Sequence, residues 1–487
     1  MASVDKIDDQ TIDQDFSSQL SREIAPDIFG NEIAHRIISG EFKIAIYGLG
    51  HVGSPMASAW LRAGATVIGV DKSPAVVEKA SKGKSHIPEP GVSEAFSTGL
   101  TLDRFKIYSD QVQASRDSYF KMICVPVLLS EGGYPDLTAV KEVATNIGKG
   151  LKKGDVIALN PSVPPGTTED LILPMIEHES GLVAENDFYM LYNPERIYEG
   201  RAILDIEERY PAIIAGAGKR SLEVGKLIYP LIFKRGVLTV SNIRTAETEK
   251  LLEGVYRDVN IALANELARY CEEIGVNFWE CKEAANSQPY CHLHNPGVGV
   301  GGACIPVYPQ FILYSSAQAR VDCEMIKVGR SINAAMPARC VKEAIKLFDN
   351  KKKNEFVPSE ATVTLLGMAF RGGVSDTRLS PTYEVIKELQ KVGIREIRIH
   401  DPLVRSDPKL NGFQNVILTS DLAKALKDTD LIMVIADHSQ YSNLTPLQTD
   451  GAPIYDGRGI LNRAFFDNSN YGMIGMGNNR VGAARRF

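Results

Sequence analysis

Short runs of apolar residues alternate along the first half of the chain with longer segments whose apolar residues recur at helical spacing. Such runs predict strands that are buried on both faces, and the segments between them predict covering helices. The runs lie at residues 43–47, 66–70, 122–127, 156–159, 188–192 and 212–215. This order predicts a doubly wound, mainly parallel sheet, in which ligands bind at the carboxyl ends of the strands.

A second set of apolar runs lies in the last third of the chain, at residues 362–366, 397–400, 431–435 and 453–455. It predicts a second Rossmann-like domain, although this part lacks a complete dinucleotide fingerprint. Between the two sets, leucine and valine residues recur at helical spacing from 251 to 267. They predict one long helix that Thr245 caps and Gly275 ends.

The predicted fold class is α/β, with two Rossmann-like doubly wound domains joined by a central helical domain that contains one long helix. A chain of 487 residues is too long for a single core. The charged run KKKN (351–354) predicts a linker. The expected parts are an N-terminal extension at 1–41 with a helix from about residue 21 to 38, a first Rossmann domain at 42–243, a central helical dimerisation domain at 244–350, and a C-terminal Rossmann-like domain at 355–487.

Charge and cysteine usage narrow the class of protein. The net charge is -6 and the pI about 5.9, which argues against a nucleic-acid partner bound through a general basic field. No apolar run is long enough to span a bilayer, and the N-terminus lacks the order of a signal peptide. The seven cysteines are scattered and include no CxxC pair. We therefore expect free thiols, no structural zinc, no membrane partner and a cytoplasmic protein.

A glycine-rich turn follows the first predicted strand. It reads GLGHVG, with Gly48, Gly50 and Gly53 in the GxGxxG spacing and with His51 and Val52 between them. A helix, a second strand and Asp71 come next. The glycines allow a tight turn and the close approach of a pyrophosphate, and an acid at this distance binds the ribose hydroxyls. Because a carboxylate repels a 2′-phosphate, the pattern favours NAD over NADP.

A second glycine-rich stretch, NPGVGVGGACIPVYP (295–309), leads into one cysteine. Glycines this close together let the backbone approach a ligand without an intervening side chain, and the prolines stiffen the exit. Cys304 on such a loop is a candidate nucleophile. The competing interpretation is a surface loop that happens to contain a thiol.

Charged residues at predicted strand ends supply further candidates. NPERIYEG (193–200) contributes Glu195 and Glu199, and Lys250, Gly254 and Arg257 share a face of the long helix. The second sheet contributes Arg371, Arg378 and Arg458, which suit phosphate or uridine recognition. Each residue taken singly is also compatible with a solvated surface charge.

The ordered set of motifs resembles the nucleotide-sugar 6-dehydrogenases, the family of the UDP-glucose, UDP-N-acetylhexosamine and GDP-mannose dehydrogenases. The resemblance runs from about residue 42 to about 465. Its motifs are GLGHVG with Asp71, HIPEPGV (86–92), PSVPPGTT (161–168), NPER, TAETEKLLEGVYRDVNIALANE (245–266), EAAN (283–286), GVGVGGACIPVYP, FRGGVSDTRLSP and ADHSQY. NPER, EAAN and ADHSQY look most like the branch that oxidises UDP-N-acetylmannosamine or UDP-N-acetylglucosamine.

The resemblance implies an NAD-dependent four-electron oxidation of the sugar C6 alcohol to a carboxylate, in a homodimer or larger homo-oligomer. It implies Cys304, Lys250 and Glu195 as catalytic residues. The cofactor residues would be Gly48, Gly50, His51, Val52, Gly53, Asp71, Pro126 and Ser162. The UDP-sugar residues would be Glu199, Arg257, Gly301, Arg371, Arg378 and Arg458.

The chain departs from the family pattern at two catalytic positions. Many members have Asn where this chain has Gly254, and Asp where it has Tyr308, four residues after the cysteine. Glu199 is more typical of the UDP-glucose branch. Four hypotheses therefore stand: a UDP-N-acetylhexosamine dehydrogenase, a UDP-glucose 6-dehydrogenase, a catalytically impaired nucleotide-sugar-binding protein, and a two-electron hydroxyacid dehydrogenase of the 6-phosphogluconate type.

Overall fold

A computed structural model describes residues 32, 35–352, 357–467 and 469–477 of the chain. Within these residues the chain forms two compact units. Unit 1 runs up to Pro126 and continues through Val140–Pro161 and Thr168–Ala246. Unit 2 comprises Val127–Ala139, Ser162–Thr167 and the residues from Glu247 onward. Most of the predicted N-terminal helix lies outside the described residues, and residues 35–38 are helical.

Unit 1 contains an eight-stranded sheet of order β10-β9-β8-β7-β4-β1-β2-β3, in which only the β8–β9 pair is antiparallel. The central strands are almost wholly buried, since helices cover a parallel sheet on both faces. The strands are β1 Lys43–Tyr47, β2 Thr66–Val70, β3 Phe105–Tyr108, β4 Phe120–Ile123, β7 Val156–Leu159, β8 Tyr189–Tyr192, β9 Ala212–Gly216 and β10 Val237–Thr239. Its α-helices are Gly53–Arg62, Pro74–Ser81, Val92–Thr101, Gln111–Asp117, Thr138–Gly150, Leu173–Ser180, Ala202–Leu204 and Lys219–Ile228.

Unit 2 contains a six-stranded, all-parallel sheet of order β13-β12-β11-β14-β15-β16. Its strands are β11 Thr362–Leu366, β12 Glu396–His400, β13 Val416–Thr419, β14 Leu431–Val434, β15 Ile454–Asp456 and β16 Tyr471–Met473. A two-stranded hairpin, β5 Leu128–Leu129 with β6 Pro135–Asp136, also belongs to this unit. Helices Pro381–Val392 and Leu422–Leu426 accompany the sheet. The predicted α/β class with mainly parallel sheets is confirmed.

Four α-helices lie in the described part of the sequence between the strands of the first sheet and those of the second. They are Ile243–Ile274, Phe278–Asn286, Tyr308–Gln318 and Glu324–Lys352. The helix Ile243–Ile274, called the long helix below, begins two residues before the predicted start. Its cap is Asn242, whose Oδ1 accepts the Thr245 N–H at 2.8 Å, so the prediction of Thr245 as the cap was wrong.

The ends of two helices bear on the predicted stop at Gly275 and on the predicted linker at 351–354. Gly275 follows the long helix with φ +76°, a conformation that glycine adopts without strain. Lys351 and Lys352 belong to the helix Glu324–Lys352, so the linker predicted at 351–354 does not begin where expected, and residues 353–354 lie outside the described residues. None of the helices in the described part of the chain combines the length and apolar character that crossing a membrane requires.

Candidate active site

In unit 1 the glycine turn joins β1 to the helix Gly53–Arg62. Gly48 has φ +94°, and a Cβ added at Gly53 would lie 1.8 Å from the Gly48 carbonyl oxygen. Around Gly50 there is open space, since an added Cβ would meet no atom within 4 Å. No side chain caps the start of this helix at Val52. These features fit the pyrophosphate of a dinucleotide, which needs open backbone and a free helix N-terminus.

Asp71 lies directly after β2 and closes the turn. Its Oδ2 accepts the Leu49 N–H and its Oδ1 accepts the Ser73 N–H, each at 2.9 Å. These bonds fix the carboxylate beside the glycine turn and leave each oxygen a further lone pair for a ribose hydroxyl. Asp71 thus lies beside the glycine turn, and its binding of ribose hydroxyls stays a prediction.

His51 and Glu199 come together within unit 1. The His51 Nε2 lies 3.7 Å from the Glu199 Oε1. Gly200 and Ala202 next to Glu199 donate N–H groups to the buried carboxylate of Glu89, at 2.7 and 2.6 Å. Glu89 therefore anchors the segment after NPER.

Glu195 lies three residues after the end of β8, in a segment that two asparagines hold. The Asn160 Nδ2 donates to both the carbonyl oxygen and the Oδ1 of Asn193 at 3.0 Å. The Asn193 Nδ2 donates to the Ile213 carbonyl at 2.8 Å. The Ile197 N–H donates to the Glu195 Oε1, and Glu195 lines a small pocket on unit 1. The carboxylate is thus half-buried and oriented.

The cofactor candidates Pro126 and Ser162 lie where the chain passes from one unit to the other. Pro126 is exposed at the end of the first segment of unit 1, whereas Ser162 belongs to the Ser162–Thr167 segment of unit 2. That segment is held by the buried Glu247 of the long helix, whose Oε2 accepts the Gly166 N–H at 2.5 Å. Glu247 therefore helps to hold this segment.

Cys304 is exposed on a turn of unit 2, just before the helix Tyr308–Gln318. Its carbonyl oxygen accepts the N–H groups of Val307 and Tyr308 at 3.0 and 2.9 Å, which places the cysteine in the turn that leads into that helix. A helix N-terminus favours an anionic side chain such as a thiolate. By contrast, burial raises the pKa of the thiols of Cys124 and Cys340, so these two are poor nucleophiles.

The glycines before Cys304 pack against the rest of unit 2. The Gly302 N–H donates to the Arg378 carbonyl at 2.9 Å, and a Cβ at Gly301 would lie 2.6 Å from the Leu379 carbonyl oxygen. Gly301 is therefore required for this close packing, whatever else it binds. The Gly297 N–H donates to the Asn265 Oδ1 of the long helix at 2.9 Å, which holds the start of the loop.

Lys250 is buried on the long helix, with 9% of its side chain exposed. Its Nζ lies 3.8 Å from the Glu253 Oε2 and 5.8 Å from the centroid of the Tyr308 ring. Gly254, one helical turn later, is also buried, whereas the Arg257 side chain is exposed. The shared face predicted for these residues therefore includes a buried part and an exposed part.

The three arginines of the second sheet differ in their partners. The Arg378 Nε donates to both carboxylate oxygens of Asp376, at 2.9 and 2.8 Å. The Arg458 Nη2 lies 3.1 Å from the Asp437 Oδ1. Burial raises the pKa of Asp437, but Arg458 and the Gly372 N–H outweigh burial and hold it below its ordinary value. The Arg371 Nη1 donates to the Gly372 carbonyl at 3.1 Å.

Several positioning residues escaped the sequence analysis. They are Glu89, Asn160, Asn193, Glu247 and Asn265. The signal available for them was their place inside the motifs: Glu89 in HIPEPGV, Asn160 directly before PSVPPGTT, and Asn193 as the first residue of NPER. Polar residues at the buried end of an apolar strand usually hold a loop.

Comparison with known protein families finds three successive matches. All three belong to the UDP-glucose/GDP-mannose dehydrogenase family: its NAD binding domain matches residues 42–232, its central domain residues 244–335, and its UDP binding domain residues 364–463.

Individual proteins agree with the family match. UDP-N-acetyl-D-mannosamine dehydrogenase of Pyrococcus horikoshii is 34% identical over 403 residues, which cover 82% of this chain and 91% of that protein. NDP-N-acetyl-D-galactosaminuronic acid dehydrogenase of Ralstonia nicotianae is 31% identical over 440 residues, covering 87% and 98%. The solved structure of the UDP-D-ManNAc dehydrogenase of P. horikoshii matches with a TM-score of 0.81 at 31% identity, covering 90% of this chain and 100% of that one.

Proposed function

This chain belongs to the UDP-glucose/GDP-mannose dehydrogenase family, and on that premise we propose that it oxidises the C6 alcohol of a UDP-N-acetylhexosamine to the uronate through a thioester on Cys304. It is an NAD-dependent dehydrogenase. The observation that carries the proposal is the exposure of Cys304 on the turn that leads into the helix Tyr308–Gln318, where its thiol is accessible.

The cofactor residues proposed are those of the glycine turn and Asp71. The open backbone at Gly50, the close contact at Gly53 and the fixed carboxylate of Asp71 support their assignment. His51, Val52, Pro126 and Ser162 complete the proposed set. NAD supplies a hydride acceptor, and a four-electron oxidation consumes two molecules of it.

Lys250 is the proposed stabiliser of the alkoxide that develops at C6 in the first oxidation. Its ammonium is largely withdrawn from water, and a cation in such an environment stabilises developing negative charge more strongly than one in solvent. Loss of the hydroxyl proton to water and of the C6 hydride to the acceptor gives the C6 aldehyde, which is the electrophile that the thiolate requires.

Cys304 is the proposed nucleophile of the second oxidation. Its Sγ adds to the aldehyde carbon to form a thiohemiacetal, and loss of the C6 hydride then gives the thioester. Water breaks the C–S bond and returns the thiol, with Glu195 as the proposed base that takes the proton of the water. The backbone bonds of Asn160 and Asn193 orient the Glu195 segment and support this role.

The UDP moiety is assigned to Arg378, Arg458 and Arg371, and the sugar to Glu199, Arg257 and Gly301. Arginine binds phosphate and uracil oxygens through several N–H groups at once. The names of the two relatives support an N-acetylated sugar. UDP-glucose is the alternative, to which the family name and Glu199 both point.

A homodimer is proposed through the long helix. Its large apolar side chains with more than two fifths of their surface exposed include Leu252, Tyr256, Leu263 and Tyr270, and an exposed apolar stripe of this kind is typical of an interface. Light scattering at several concentrations tests it, and a monomer at all of them would exclude it.

We also propose the domain limits given above, a role in polysaccharide synthesis, and a reducing cytoplasmic location, since the nucleophile must stay a thiol.

The test is the ratio of NADH formed to sugar consumed. The purified protein is incubated with NAD and, separately, with UDP-N-acetylmannosamine, UDP-N-acetylglucosamine, UDP-N-acetylgalactosamine, UDP-glucose and GDP-mannose. The proposal predicts two NADH per sugar with one of the N-acetylated substrates. One NADH per sugar would contradict the thioester route, turnover of UDP-glucose alone would contradict the substrate, and binding without NADH would favour the impaired binding protein.

A further inference from the structure

The ring of Tyr308 occupies the space next to Gly254. A Cβ added at Gly254 would lie 2.5 Å from the Cδ2 and 2.9 Å from the Cβ of Tyr308. Both residues are buried, and Tyr308 is only 8% exposed. A side chain at position 254 and the present ring at position 308 therefore exclude each other. The packing of these two positions is therefore coupled.

The same ring lies beside Lys250. The distance of 5.8 Å between the Nζ and the ring centroid is within the range of cation–π attraction. The ion pair with Glu253 is long at 3.8 Å, and Glu253 is partly exposed, so solvent screens it. A buried ammonium needs compensation, and the ring supplies part of it from a fixed position on the neighbouring helix.

Tyr308 is also tied to Cys304 through the backbone. Its N–H donates to the Cys304 carbonyl at 2.9 Å, so the two residues bound one helical turn. Its side chain packs on the long helix, and its main chain closes the turn that carries the thiol. Tyr308 thus contacts Gly254, lies within cation–π distance of Lys250 and bonds to Cys304.

We propose that Tyr308 is a positioning residue, whose ring fills the space that a side chain at position 254 would occupy and fixes both the Lys250 ammonium and the Cys304 turn. The inference rests on the proposed roles of Lys250 and Cys304. It assigns the role to the aromatic ring and not to the hydroxyl, because the contacts with Gly254 and Lys250 are both made by the ring.

The experiment compares Tyr308→Phe, which keeps the ring, with Tyr308→Leu, which removes it. Tyr314→Leu is the matched control, since it removes a half-buried ring from the same helix, where the ring contacts Tyr134 instead. NADH formation with UDP-N-acetylmannosamine gives kcat and KM. We expect Tyr308→Phe and Tyr314→Leu to keep kcat within about threefold, and Tyr308→Leu to lower it at least about tenfold (~1.4 kcal/mol) at nearly unchanged KM.

A double-mutant cycle separates positioning from a general loss of stability. Gly254→Ala should lower kcat because its Cβ displaces the ring, and it should cost much less when Tyr308 is already Leu. Full additivity of the two effects in kcat would overturn the inference. So would wild-type kcat for Tyr308→Leu.

A second readout needs no turnover. The rate at which iodoacetamide alkylates Cys304, followed on its peptide by mass spectrometry, reports the thiolate and its accessibility. We expect the wild type and Tyr308→Phe to react alike and Tyr308→Leu at least about threefold more slowly. Equal rates in all three would overturn the inference. If the wild type oxidises none of the UDP-sugars, the proposed function fails, and this labelling comparison still decides the role of the ring.

Discussion

Asn160 and Asn193 meet at the ends of two neighbouring strands, where the Asn160 Nδ2 donates to two oxygens of Asn193 at 3.0 Å. Both side chains are buried. Because Glu195 follows Asn193 by two residues, the pair fixes the start of the segment that carries the proposed base. The preceding strands β7 and β8 are almost wholly buried, so their ends have fixed positions. The pair of asparagines holds the Glu195 segment to these ends.

Replacing Asn160 with Ala should therefore weaken both stability and turnover. The variant loses two buried hydrogen bonds and leaves oxygens of Asn193 without this donor, which should cost about 1–3 kcal/mol in the free energy of unfolding. Urea denaturation measures it. Asn146→Ala is the control, because Asn146 makes one part-buried bond, to Gln111 at 3.1 Å. Equal unfolding free energies for the two variants would contradict the account.

The glycine turn makes a prediction that separates folding from cofactor binding. Gly53→Ala brings a Cβ against the Gly48 carbonyl and should destabilise the protein by about 1–3 kcal/mol. Gly50→Ala meets open space and should leave the melting temperature unchanged, yet weaken NAD binding about tenfold (~1.4 kcal/mol), since a methyl group would face the pyrophosphate. Calorimetry with NAD and thermal melting measure the two effects. Wild-type NAD affinity in Gly50→Ala would show that this turn does not approach the cofactor.

Unit 2 should lose stability in acid through Asp401. Burial raises the pKa of Asp401, but the hydrogen bonds from His438, Ala369 and Leu403 outweigh it and lower the pKa to about 2. A carboxyl with a lowered pKa stabilises the fold above its unfolded value near 3.8, and loses this contribution as the pH falls towards 2. The shift corresponds to about 2 kcal/mol.

The Asp401→Asn variant tests this pH dependence. At pH 6 it should lower the free energy of unfolding by about 2 kcal/mol. The difference from the wild type should shrink as the pH falls from about 4 to 2, because the wild-type carboxyl then becomes neutral as well. Urea denaturation at a series of pH values measures it. A difference that stays constant over this range would contradict the prediction.

Arg458 should contribute to UDP binding more than an ordinary surface arginine does. Arg458→Ala removes the guanidinium next to Gly297 and Asp437 and should weaken UDP binding by about tenfold or more (~1.5–3 kcal/mol for a charge-assisted contact). Arg405→Ala is the matched control, since Arg405 is an exposed arginine of the same unit. Titration calorimetry with UDP alone measures both. Equal affinity of the two variants would remove Arg458 from the proposed site.

The sequence predicts a strand well where its apolar run is continuous. Lys43–Tyr47, Thr66–Val70, Val156–Leu159 and Thr362–Leu366 agree residue for residue with the structure. Strand Phe120–Ile123 ends before the predicted Val127, because the apolar run continues into the loop at Cys124–Val127. In the two large sheets four strands were missed, and all four lie at the edges, where partial exposure breaks the apolar pattern: Phe105–Tyr108, Val237–Thr239, Val416–Thr419 and Tyr471–Met473. The short hairpin strands Leu128–Leu129 and Pro135–Asp136 were missed as well.

The candidate site was predictable where one motif contains the whole feature. The turn at Gly48–Gly53 and the exposed Cys304 are of this kind. Contacts between distant residues were not predictable, because spacing along the chain carries no information about them. Glu89 bonds to Gly200, which is 111 residues away, and the ring of Tyr308 fills the space at Gly254 only after two helices have packed.

The central claim is that Cys304 becomes acylated by the substrate, and trapping that adduct tests it most directly. The Glu195→Gln variant, which lacks the proposed base, is mixed with NAD and UDP-N-acetylmannosamine, quenched in acid and digested. We predict that the Cys304 peptide gains the mass of the nucleotide sugar less four hydrogens, and that the same variant carrying Cys304→Ser shows no such gain. An unmodified Cys304 peptide together with wild-type NADH formation by Cys304→Ser would contradict the account and favour a two-electron hydroxyacid dehydrogenase.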